Sequence, residues 1–271
     1  MQKLVSIDLK SDFGFFRKPD VNNTVNLSYN MLHKPALLGI LGSIIGLGGY
    51  TQAKEEENNQ VVPKGEKRQV IFPEYYELLK QLQIGIEPLD HEKGNFQKTV
   101  IKYSNTVGYA NNGSTYLTEE ATLIKPSYRI YILLNLEDRY QNKLHNYLKE
   151  GKTEYIPYFG KNEFPIWWNK DSFSEYEFAK VDTIQESYKI RTLFEKEGIV
   201  KDQKELSFDL FNFHKSESPY IYFERLPKGF NEELIQYDLG EFVFTTFKLK
   251  SDYMPTNIYL LNSLQEYVQL Q

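Results

Sequence analysis

The feature that most constrains the fold is an apolar run near the N-terminus that glycine interrupts at helical spacing. It covers residues 36–47, and apart from glycine and one serine its side chains are all apolar. Pro35 precedes it and suits the first turn of a helix, where its missing N–H would be unpaired anyway. Gly39, Gly42 and Gly46 share one face of this predicted helix. Each costs roughly 1 kcal/mol relative to alanine, so we expect a sheet, a partner helix or a sugar-phosphate chain to approach the backbone there.

Three other interpretations of this run fail. A transmembrane helix needs about 20 apolar residues, and this run is shorter. A P-loop has Lys and Ser or Thr after its last glycine, whereas Leu47 and Gly48 follow Gly46. The dinucleotide-binding pattern G-x-G-x-x-G is absent. The residues alone therefore favour a buried helix that packs tightly on a sheet.

Composition limits the classes of function. A length of 271 residues permits one large domain or two unequal ones. The net charge is −5, so the chain cannot coat nucleic acid by charge alone, and any RNA site must be local. The absence of cysteine excludes disulfides and thiolate chemistry and fits a reducing cytosol. Because no signal-peptide pattern follows Met1, we expect a cytoplasmic location without membrane association.

The pattern of apolar residues predicts an α+β fold. The strands predicted in the first part of the chain are 3–10, 94–105, 115–125, 128–134 and 155–159. With the glycine-rich helix and a second helix between Asn135 and Gly151, the order is β-α-β-β-α-β, that of ferredoxin-like and RRM-like domains. We expect this domain to occupy residues 1–165 and a smaller β-rich C-terminal part to occupy residues 166–271.

Three segments lie outside this regular order. Residues 54–69 are highly charged and are predicted to form an exposed loop. Residues 73–82 are predicted to form a short helix. Residues 94–125 are predicted to form a protruding β-hairpin between the second and third strands, because Asn112-Gly113 is a strong turn signal.

The N-terminal region, in two stretches, and one later segment resemble motifs of a known family. Residues 16–19 read F-x-x-P, and residues 36–46 of the predicted helix read A-L-L-G-I-L-G-S-I-I-G. Residues 158–165 read Y-F-G-K-N-E-F-P. They are similar to the N-terminal region and the Y-L-G-K/R signature of the CRISPR-associated Cas five family, the RAMP-type subunits of Cascade complexes. The resemblance is closest to the type I-B branch, covers about the first 165 residues well, and implies an RRM-like domain with a hairpin thumb.

The resemblance also implies a set of RNA contacts. Lysine and arginine would bind phosphates, asparagine would read base edges, tyrosine would stack on bases, and the glycine face would admit the RNA backbone. The implied residues are Arg17, Lys18, Tyr29, His33, Lys34, Gly39, Gly42 and Gly46 around the helix, Lys98, Lys102, Tyr103, Asn105, Tyr109, Asn111 and Asn112 in the thumb, and Lys161 and Asn162 after it. Without the resemblance, the hairpin would be an ordinary solvated one and His33 a plain loop residue.

We expect neither catalysis nor a metal or cofactor. The four histidines form no zinc-binding pattern, and there is no cysteine. Some members of the type I-C branch cut their own precursor RNA, and the resemblance implies that they use Tyr, Lys and an adjacent His. Here Pro126 follows Lys125, which argues against nuclease activity.

The function that the resemblance implies is a non-catalytic RNA-binding subunit of a type I Cascade surveillance complex in antiviral defence. It would hold the 5′ handle of the CRISPR RNA (crRNA) and cap the backbone filament. Its partners would be the backbone (Cas seven) subunit and the large subunit, with target DNA reached through the complex. One alternative is an endoribonuclease that processes precursor crRNA. A second, from another class, is a structural or nucleotide-binding α+β protein.

Overall fold

The computed structural model describes residues 1–19, 24–63, 65, 68–104, 117–197, 205–209 and 218–271. The helices in these ranges are α1 (Lys34–Ile45), α2 (Tyr50–Asn59), α3 (Glu74–Leu79) and α4 (Arg139–Glu150), with a 3₁₀ turn at Lys170–Ser172. The strands are β1 (Gln2–Lys10), β2 (Phe13–Gly14), β3 (Phe16–Arg17), β4 (Val25–Tyr29), β5 (Gln83–Leu89), β6 (Lys98–Ser104), β7 (Leu117–Ile124), β8 (Ser127–Asn135), β9 (Ser174–Tyr176), β10 (Phe178–Val181), β11 (Phe194–Glu195), β12 (Phe208–Asp209), β13 (Ile221–Asn231), β14 (Gln236–Thr245), β15 (Lys248–Leu249), β16 (Ile258–Leu261) and β17 (Glu266–Gln269).

The central sheet confirms the predicted α+β class. Its strand order is β5-β8-β1-β9, and all neighbouring strands are antiparallel. Because α1 lies between β1 and β5 in the chain, and α4 lies between β8 and β9, the elements follow the β-α-β-β-α-β order of ferredoxin-like domains. β1 and β8 pair over their full lengths, from Gln2 opposite Asn135 to Lys10 opposite Ser127.

Two strands of this sheet differ from the sequence prediction. The second strand is β5 and not residues 94–105, and the fourth is β9 and not residues 155–159, where only Tyr158 forms an isolated bridge. β5 is buried on both faces, so it lacks the alternation of a half-buried strand. At Gly85 the C-terminal segment comes so close that an added Cβ would lie 2.8 Å from the carbonyl oxygen of Gln269.

The arms of the predicted hairpin belong to a second sheet. β6 and β7 pair from Lys98 opposite Leu123 to Ser104 opposite Leu117. β7 also pairs with β4 in parallel and with β2 in antiparallel orientation. The base of the hairpin is therefore joined to the N-terminal turn at residues 13–17, and its tip at residues 105–116 lies outside the described residues.

The charged segment predicted to be a loop begins as a helix. α2 covers residues 50–59, so the loop predicted at 54–69 is wrong over its first part. The N–H of Gly49 donates to the Gln52 side chain at 3.0 Å, and Lys54 pairs with Glu57 at 2.6 Å one turn later. Ala53 is the only buried residue of α2, so the apolar stripe that identifies most helices is missing. The short helix predicted at 73–82 is confirmed as α3.

One hydrophobic core includes residues from both predicted parts of the chain. Side chains of α1, β1 and β8 form most of it, and Leu226 of β13 and Phe242 of β14 belong to the same cluster. The carboxylate of Glu224 in β13 accepts hydrogen bonds from the N–H groups of Asn30 and Met31, both at 3.0 Å. Residues 166–271 are rich in strands, while the domain boundary at residue 165 stays a prediction.

Candidate nucleic-acid interface

The two segments that carry the family resemblance meet in the structure. The N–H of Phe15 donates to the carbonyl oxygen of Phe159 at 3.0 Å, and the rings of Phe16 and Phe159 lie edge to face with centroids 5.6 Å apart. Gly160 has a φ of +82°, and a Cβ there would overlap the carbonyl oxygen of Phe15. A side chain would not fit at this position. The N-terminal turn and the turn at 158–165 therefore form one unit.

The glycine face of α1 is covered by Tyr75 of α3. A Cβ at Gly42 would overlap the Tyr75 Cβ and lie 3.1 Å from its Cγ. Gly46 instead ends the helix, with a φ of +82° and its N–H directed at the carbonyl oxygens of Gly42 and Ser43. The predicted approach of an RNA backbone to Gly42 and Gly46 stays a prediction, and in this structure Tyr75 packs on Gly42 while Gly46 forms the helix end. The close approach at Gly42 is between two helices. At the third glycine, Gly39, an added Cβ would lie 3.6 Å from the Tyr75 ring, which is an ordinary contact.

An open groove of about 570 Å³ lies between α1 and the segment 155–160. Gly39 and Gly160 both line it. The other walls are rich in aromatic rings from distant parts of the chain, namely Tyr50, Tyr75, Tyr155, Tyr158, Phe230 and Tyr237. We call this the aromatic groove. Phe230 and Tyr237 are stacked with centroids 4.7 Å apart, and Tyr155 and Tyr158 are 56% and 41% exposed. Exposed rings of this kind can stack on unpaired bases.

The aromatic groove is polar only through hydroxyl, amide and backbone groups. No lysine or arginine is among its described lining residues. Burial raises the pKa of both Tyr50 and Tyr75, so their hydroxyls stay protonated at neutral pH. The groove can therefore stack on bases and donate hydrogen bonds, but it does not itself neutralise phosphates.

His33 and Tyr29 have little surface for an RNA contact. They are 5% and 3% exposed, and their rings lie edge to face with centroids 5.3 Å apart. His33 caps α1, because its Nδ1 accepts the N–H of Ala36 at 3.4 Å. Burial lowers the pKa of His33 to about 3, so the imidazole is neutral at physiological pH. The RNA contacts of both residues stay predictions, and they would require these side chains to become more exposed than they are here.

Two of the three cations predicted beside the helix have partners within the chain. Lys18 pairs with Glu224 at 3.2 Å. The Nζ of Lys34 donates to the carbonyl oxygen of Gln271 at 3.0 Å, and burial lowers the pKa of this amine to about 8. Arg17 is exposed and pairs with no acidic group in the described part of the chain. Arg17 is thus the cation of this set that is best placed for a phosphate.

The two lysines of the hairpin base are also engaged. The Nζ of Lys98 donates to Oδ1 of Asn30 at 3.1 Å, and burial lowers its pKa. Lys102 pairs with Glu119 across the β6–β7 ladder at 2.8 Å. Lys102 remains exposed, so a phosphate would compete with Glu119 for it.

Lys161 connects the turn at 158–165 to the hairpin. It pairs with Glu120 at 2.7 Å, and its Nζ lies 4.0 Å from the centre of the Tyr103 ring. Two predicted site residues, Lys161 and Tyr103, therefore lie together. They contact each other, so part of each side chain is already covered. Asn162 is exposed. The remaining predicted contacts, Asn105, Tyr109, Asn111 and Asn112, lie outside the described residues.

The rings of the aromatic groove were not predicted as site residues. In the sequence Tyr158 is only the first residue of a motif, and Tyr155 and Ile156 belong to a predicted strand, although Ile156 is 72% exposed. Apolar side chains without strand alternation beside a glycine turn are the signal that could have identified this wall. Tyr237 lies in the hairpin of β13 and β14, here called the C-terminal hairpin. Nothing in its local sequence indicates that it reaches α1.

Comparisons with known proteins show a general likeness of fold. No protein-family model and no curated protein matches the chain. One similar solved structure is a CRISPR protein from Archaeoglobus fulgidus, with 12% identity, 98% and 97% coverage of the two chains and a TM-score of 0.47. Others are a chain of a CRISPR RNA-guided surveillance complex (10% identity, 91% of each chain, TM-score 0.44) and a chain of the type III-B Cmr-beta complex bound to cognate target RNA and AMPPnP (12%, 99% of each chain, 0.39). At such values the likeness does not establish a shared function.

No group of three or more His, Asp or Glu side chains suited to a metal ion occurs among the described residues. Within the same ranges no single helix has the length and apolar character to cross a membrane, and α1 and α2 meet that test only as a pair bent by 88°.

Proposed function

We propose that this chain is a non-catalytic RNA-binding subunit of a CRISPR effector complex in antiviral defence. In its specific form, the chain belongs to the Cas five family and holds the 5′ handle of crRNA in a type I Cascade complex, most similar to type I-B. It caps the backbone filament, with the backbone (Cas seven) subunit and the large subunit as partners and target DNA bound through the complex. The location is cytoplasmic.

The observation that supports this proposal is the convergence of the two resembled segments at one open site. The Phe15–Phe159 hydrogen bond and the Gly160 contact join the N-terminal turn to the 158–165 turn. Gly39 of the resembled helix and Gly160 of the second segment both line the aromatic groove. If the two segments share a binding function, they should lie at the same site in the fold as well as in the expected order along the chain.

The aromatic groove would bind RNA by stacking. Tyr155 and Tyr158 present exposed rings at its rim, and its volume of about 570 Å³ lies within the usual range for a small-molecule site. Each base that stacks on a protein ring contributes about 1–3 kcal/mol. Arg17 would contribute a phosphate contact, and partner subunits would supply the remaining positive charge.

The environment of His33 supports a role without catalysis. A histidine that acts as a general base must reach its substrate and titrate near neutral pH. His33 is buried, caps a helix and has its pKa lowered to about 3. We therefore expect the purified chain to leave repeat RNA uncut, with or without magnesium.

Sequencing the RNA that copurifies with the chain from its own host tests the proposal. We expect fragments whose 5′ ends derive from CRISPR repeats. Random RNA, or no RNA, would contradict an RNA-guided function. Specific cleavage of repeat RNA by the purified chain would instead support the endoribonuclease alternative.

Substitutions in the aromatic groove test where the RNA binds. Tyr155→Ala and Tyr158→Ala should each weaken binding of a fluorescent handle RNA about 5- to 150-fold, the equivalent of about 1–3 kcal/mol per stacked base. Phe223→Ala is the matched control, because Phe223 is 54% exposed and does not line the groove. Equal affinity of all three variants would show that the groove is not the RNA site.

A further inference from the structure

The tyrosine hydroxyls of the aromatic groove have no hydrogen-bond partner elsewhere in the described chain. The described lining residues include five tyrosines, namely Tyr50, Tyr75, Tyr155, Tyr158 and Tyr237. The rings of Tyr50 and Tyr75 lie edge to face with centroids 6.3 Å apart. Within the described ranges, none of the five hydroxyls bonds to a group outside this set.

Buried tyrosines in other parts of the fold do have partners. The hydroxyls of Tyr128, Tyr131 and Tyr188 donate to oxygen atoms of the chain at 2.9, 2.8 and 2.7 Å. Most buried polar groups in proteins are paired in this way. The concentration of unpaired phenol groups at one groove therefore indicates that a ligand with a polar edge completes their hydrogen bonds.

A ligand in the groove can reach these hydroxyls. In the described ranges, the side-chain polar atoms that are both inaccessible and unpaired are the Oγ atoms of Ser11 and Ser127, and neither lines the groove. The Tyr75 hydroxyl lies above Gly39, where an added Cβ would be 3.8 Å from its oxygen. Because glycine has no side chain, α1 leaves this hydroxyl uncovered.

The hydroxyls are close enough to influence one another, and they remain donors at neutral pH. Burial has the largest effect on the pKa of Tyr75 and raises it, and the nearby Tyr50, Tyr237 and Tyr158 raise it further. Burial also raises the pKa of Tyr237, and Tyr50 adds to that effect. The Tyr75 hydroxyl is thus surrounded by the others.

The groove offers donors and lacks the best acceptors for an amino group. No carboxylate is among its described lining residues. The Oε1 of Gln52 already accepts the N–H of Gly49 at 3.0 Å, so this side chain presents its Nε2 donor. An amide that binds adenine in the bidentate way uses both its oxygen and its nitrogen. Gln52 therefore cannot pair with adenine in this way.

Guanine has the edge that fits these donors. Its O6 and N7 are neighbouring acceptors, whereas adenine presents N7 beside an amino donor and cytosine presents an amino donor. The described groove has no charged side chain, so it accommodates a neutral base and not a phosphate.

We propose that the aromatic groove selects one unpaired guanine, whose O6 and N7 accept hydrogen bonds from the tyrosine hydroxyls and from Gln52. The base stacks on the rings at the rim, and its phosphate stays outside. Tyr75 is the specificity-determining residue. The inference rests on the proposed function, because it takes the groove as the RNA site, and it adds which base the groove selects.

Binding of short RNAs that differ at one base tests the proposal. Fluorescence anisotropy of the full-length chain would use labelled r(CCGCC), r(CCACC) and a form with inosine at the centre. Inosine keeps O6 and N7, so it should bind about as tightly as guanine. Adenine should bind about 2- to 13-fold more weakly for each hydrogen bond lost.

Tyr75→Phe separates reading of the base edge from stacking. It removes the hydroxyl and keeps the ring and the Cβ that packs on Gly42. The preference for guanine over adenine should fall about 2- to 13-fold, with little change in melting temperature. Tyr259→Phe is the matched control, because that hydroxyl donates to Gln83 at 2.7 Å outside the groove. It should leave the preference unchanged.

Two results would overturn the inference. One is equal or tighter binding of the adenine RNA by the wild type, and the other is an unchanged preference in Tyr75→Phe. If Tyr158→Ala still weakens binding of the handle RNA in either case, the groove stacks on bases without reading their edges, and the proposed function stands. If Tyr158→Ala binds the handle RNA as the wild type does, the groove is not the RNA site, and this inference fails with it.

Discussion

Alanine substitutions at two glycines of α1 should change stability in opposite directions. Alanine in place of glycine gains about 1 kcal/mol in a helix interior. At Gly39 an added Cβ would lie 3.6 Å from the Tyr75 ring, an ordinary contact, so Gly39→Ala should keep that gain. At Gly42 the Cβ would overlap the Tyr75 Cβ, which no rotamer change can move, so α3 must shift. Overpacking of this kind costs about 1–3 kcal/mol, and occasionally more.

The expected net effect of Gly42→Ala is a loss of up to about 2 kcal/mol, and that of Gly39→Ala is a gain of up to about 1 kcal/mol. With about 2–4 °C per kcal/mol for a chain of this size, the melting temperature of Gly42→Ala should fall by up to about 4–8 °C and that of Gly39→Ala should rise by up to about 2–4 °C. Thermal melts and urea titrations measure both. In a double-mutant cycle Gly42→Ala should couple to Tyr75→Gly and not to Tyr75→Ala, because alanine retains the overlapping Cβ. If Gly42→Ala is as stable as Gly39→Ala, the close-packing argument is wrong.

Three further predictions concern residues that connect one element of the fold to another. His33→Asn keeps a capping oxygen and should remove a pH dependence of stability. The native pKa of His33 is about 3 against an ordinary 6.5, so the unfolded chain takes up the proton first as the pH falls. The wild type should therefore lose about 1.4 kcal/mol of unfolding free energy per pH unit between pH 6.5 and pH 3. Urea midpoints at pH 7 and pH 5 check this, and identical slopes in both proteins would contradict it. Gly160→Ala should lower the melting temperature by more than Gly42→Ala does, because it meets both a positive φ and the Phe15 carbonyl group, and a smaller loss would contradict that geometry. Glu224→Gln should cost about 1–3 kcal/mol in urea titrations, since an amide cannot accept both backbone N–H bonds and also pair with Lys18, and a neutral result would show that these bonds contribute little.

Elements with a strong local pattern were predictable, and elements defined by tertiary contacts were not. The side chains of β1 and β8 either alternate between apolar and polar or are continuously apolar, as expected for strands. α4 has a clear apolar stripe and ends at Gly151. The sequence therefore identifies all three elements. β5 contains Gly85 and Pro88, which disfavour a strand locally, and it forms because neighbouring segments bury both of its faces. β9 has three residues, too few for any period to appear.

The candidate site follows the same rule. The motif residues around Gly160 were identified, and the structure places them against the N-terminal turn. The sequence does not show that Lys18 and Lys161 form ion pairs, because their partners Glu224 and Glu120 lie far away along the chain. A count of basic residues cannot show which of them are already neutralised. The aromatic wall was missed because its rings come from α2, α3, the 155–158 segment and the C-terminal hairpin.

The salt dependence of RNA binding follows from this distribution of charge. No cation lines the described part of the aromatic groove, and of the predicted phosphate ligands around α1 only Arg17 is exposed without an ion pair in the described ranges. Each phosphate contact to a single strand contributes about −0.7 to the slope of log K against log salt, so the isolated chain should show a slope of only about −0.7 to −1.4.

Arg17→Gln should remove about 0.7 of that slope, whereas Tyr158→Ala should weaken binding equally at every salt concentration, because a stacked ring releases no counterion. Fluorescence anisotropy with a labelled handle RNA at several KCl concentrations measures all three proteins. A slope steeper than about −3.5 for the isolated chain would require about five phosphate contacts. The RNA would then have to follow a basic surface outside the aromatic groove, and stacking would not be the main source of affinity. We instead expect a shallow slope that becomes steeper when the backbone subunit is added. That result would support the proposal that this chain stacks aromatic rings on the RNA while its partners bind the phosphates.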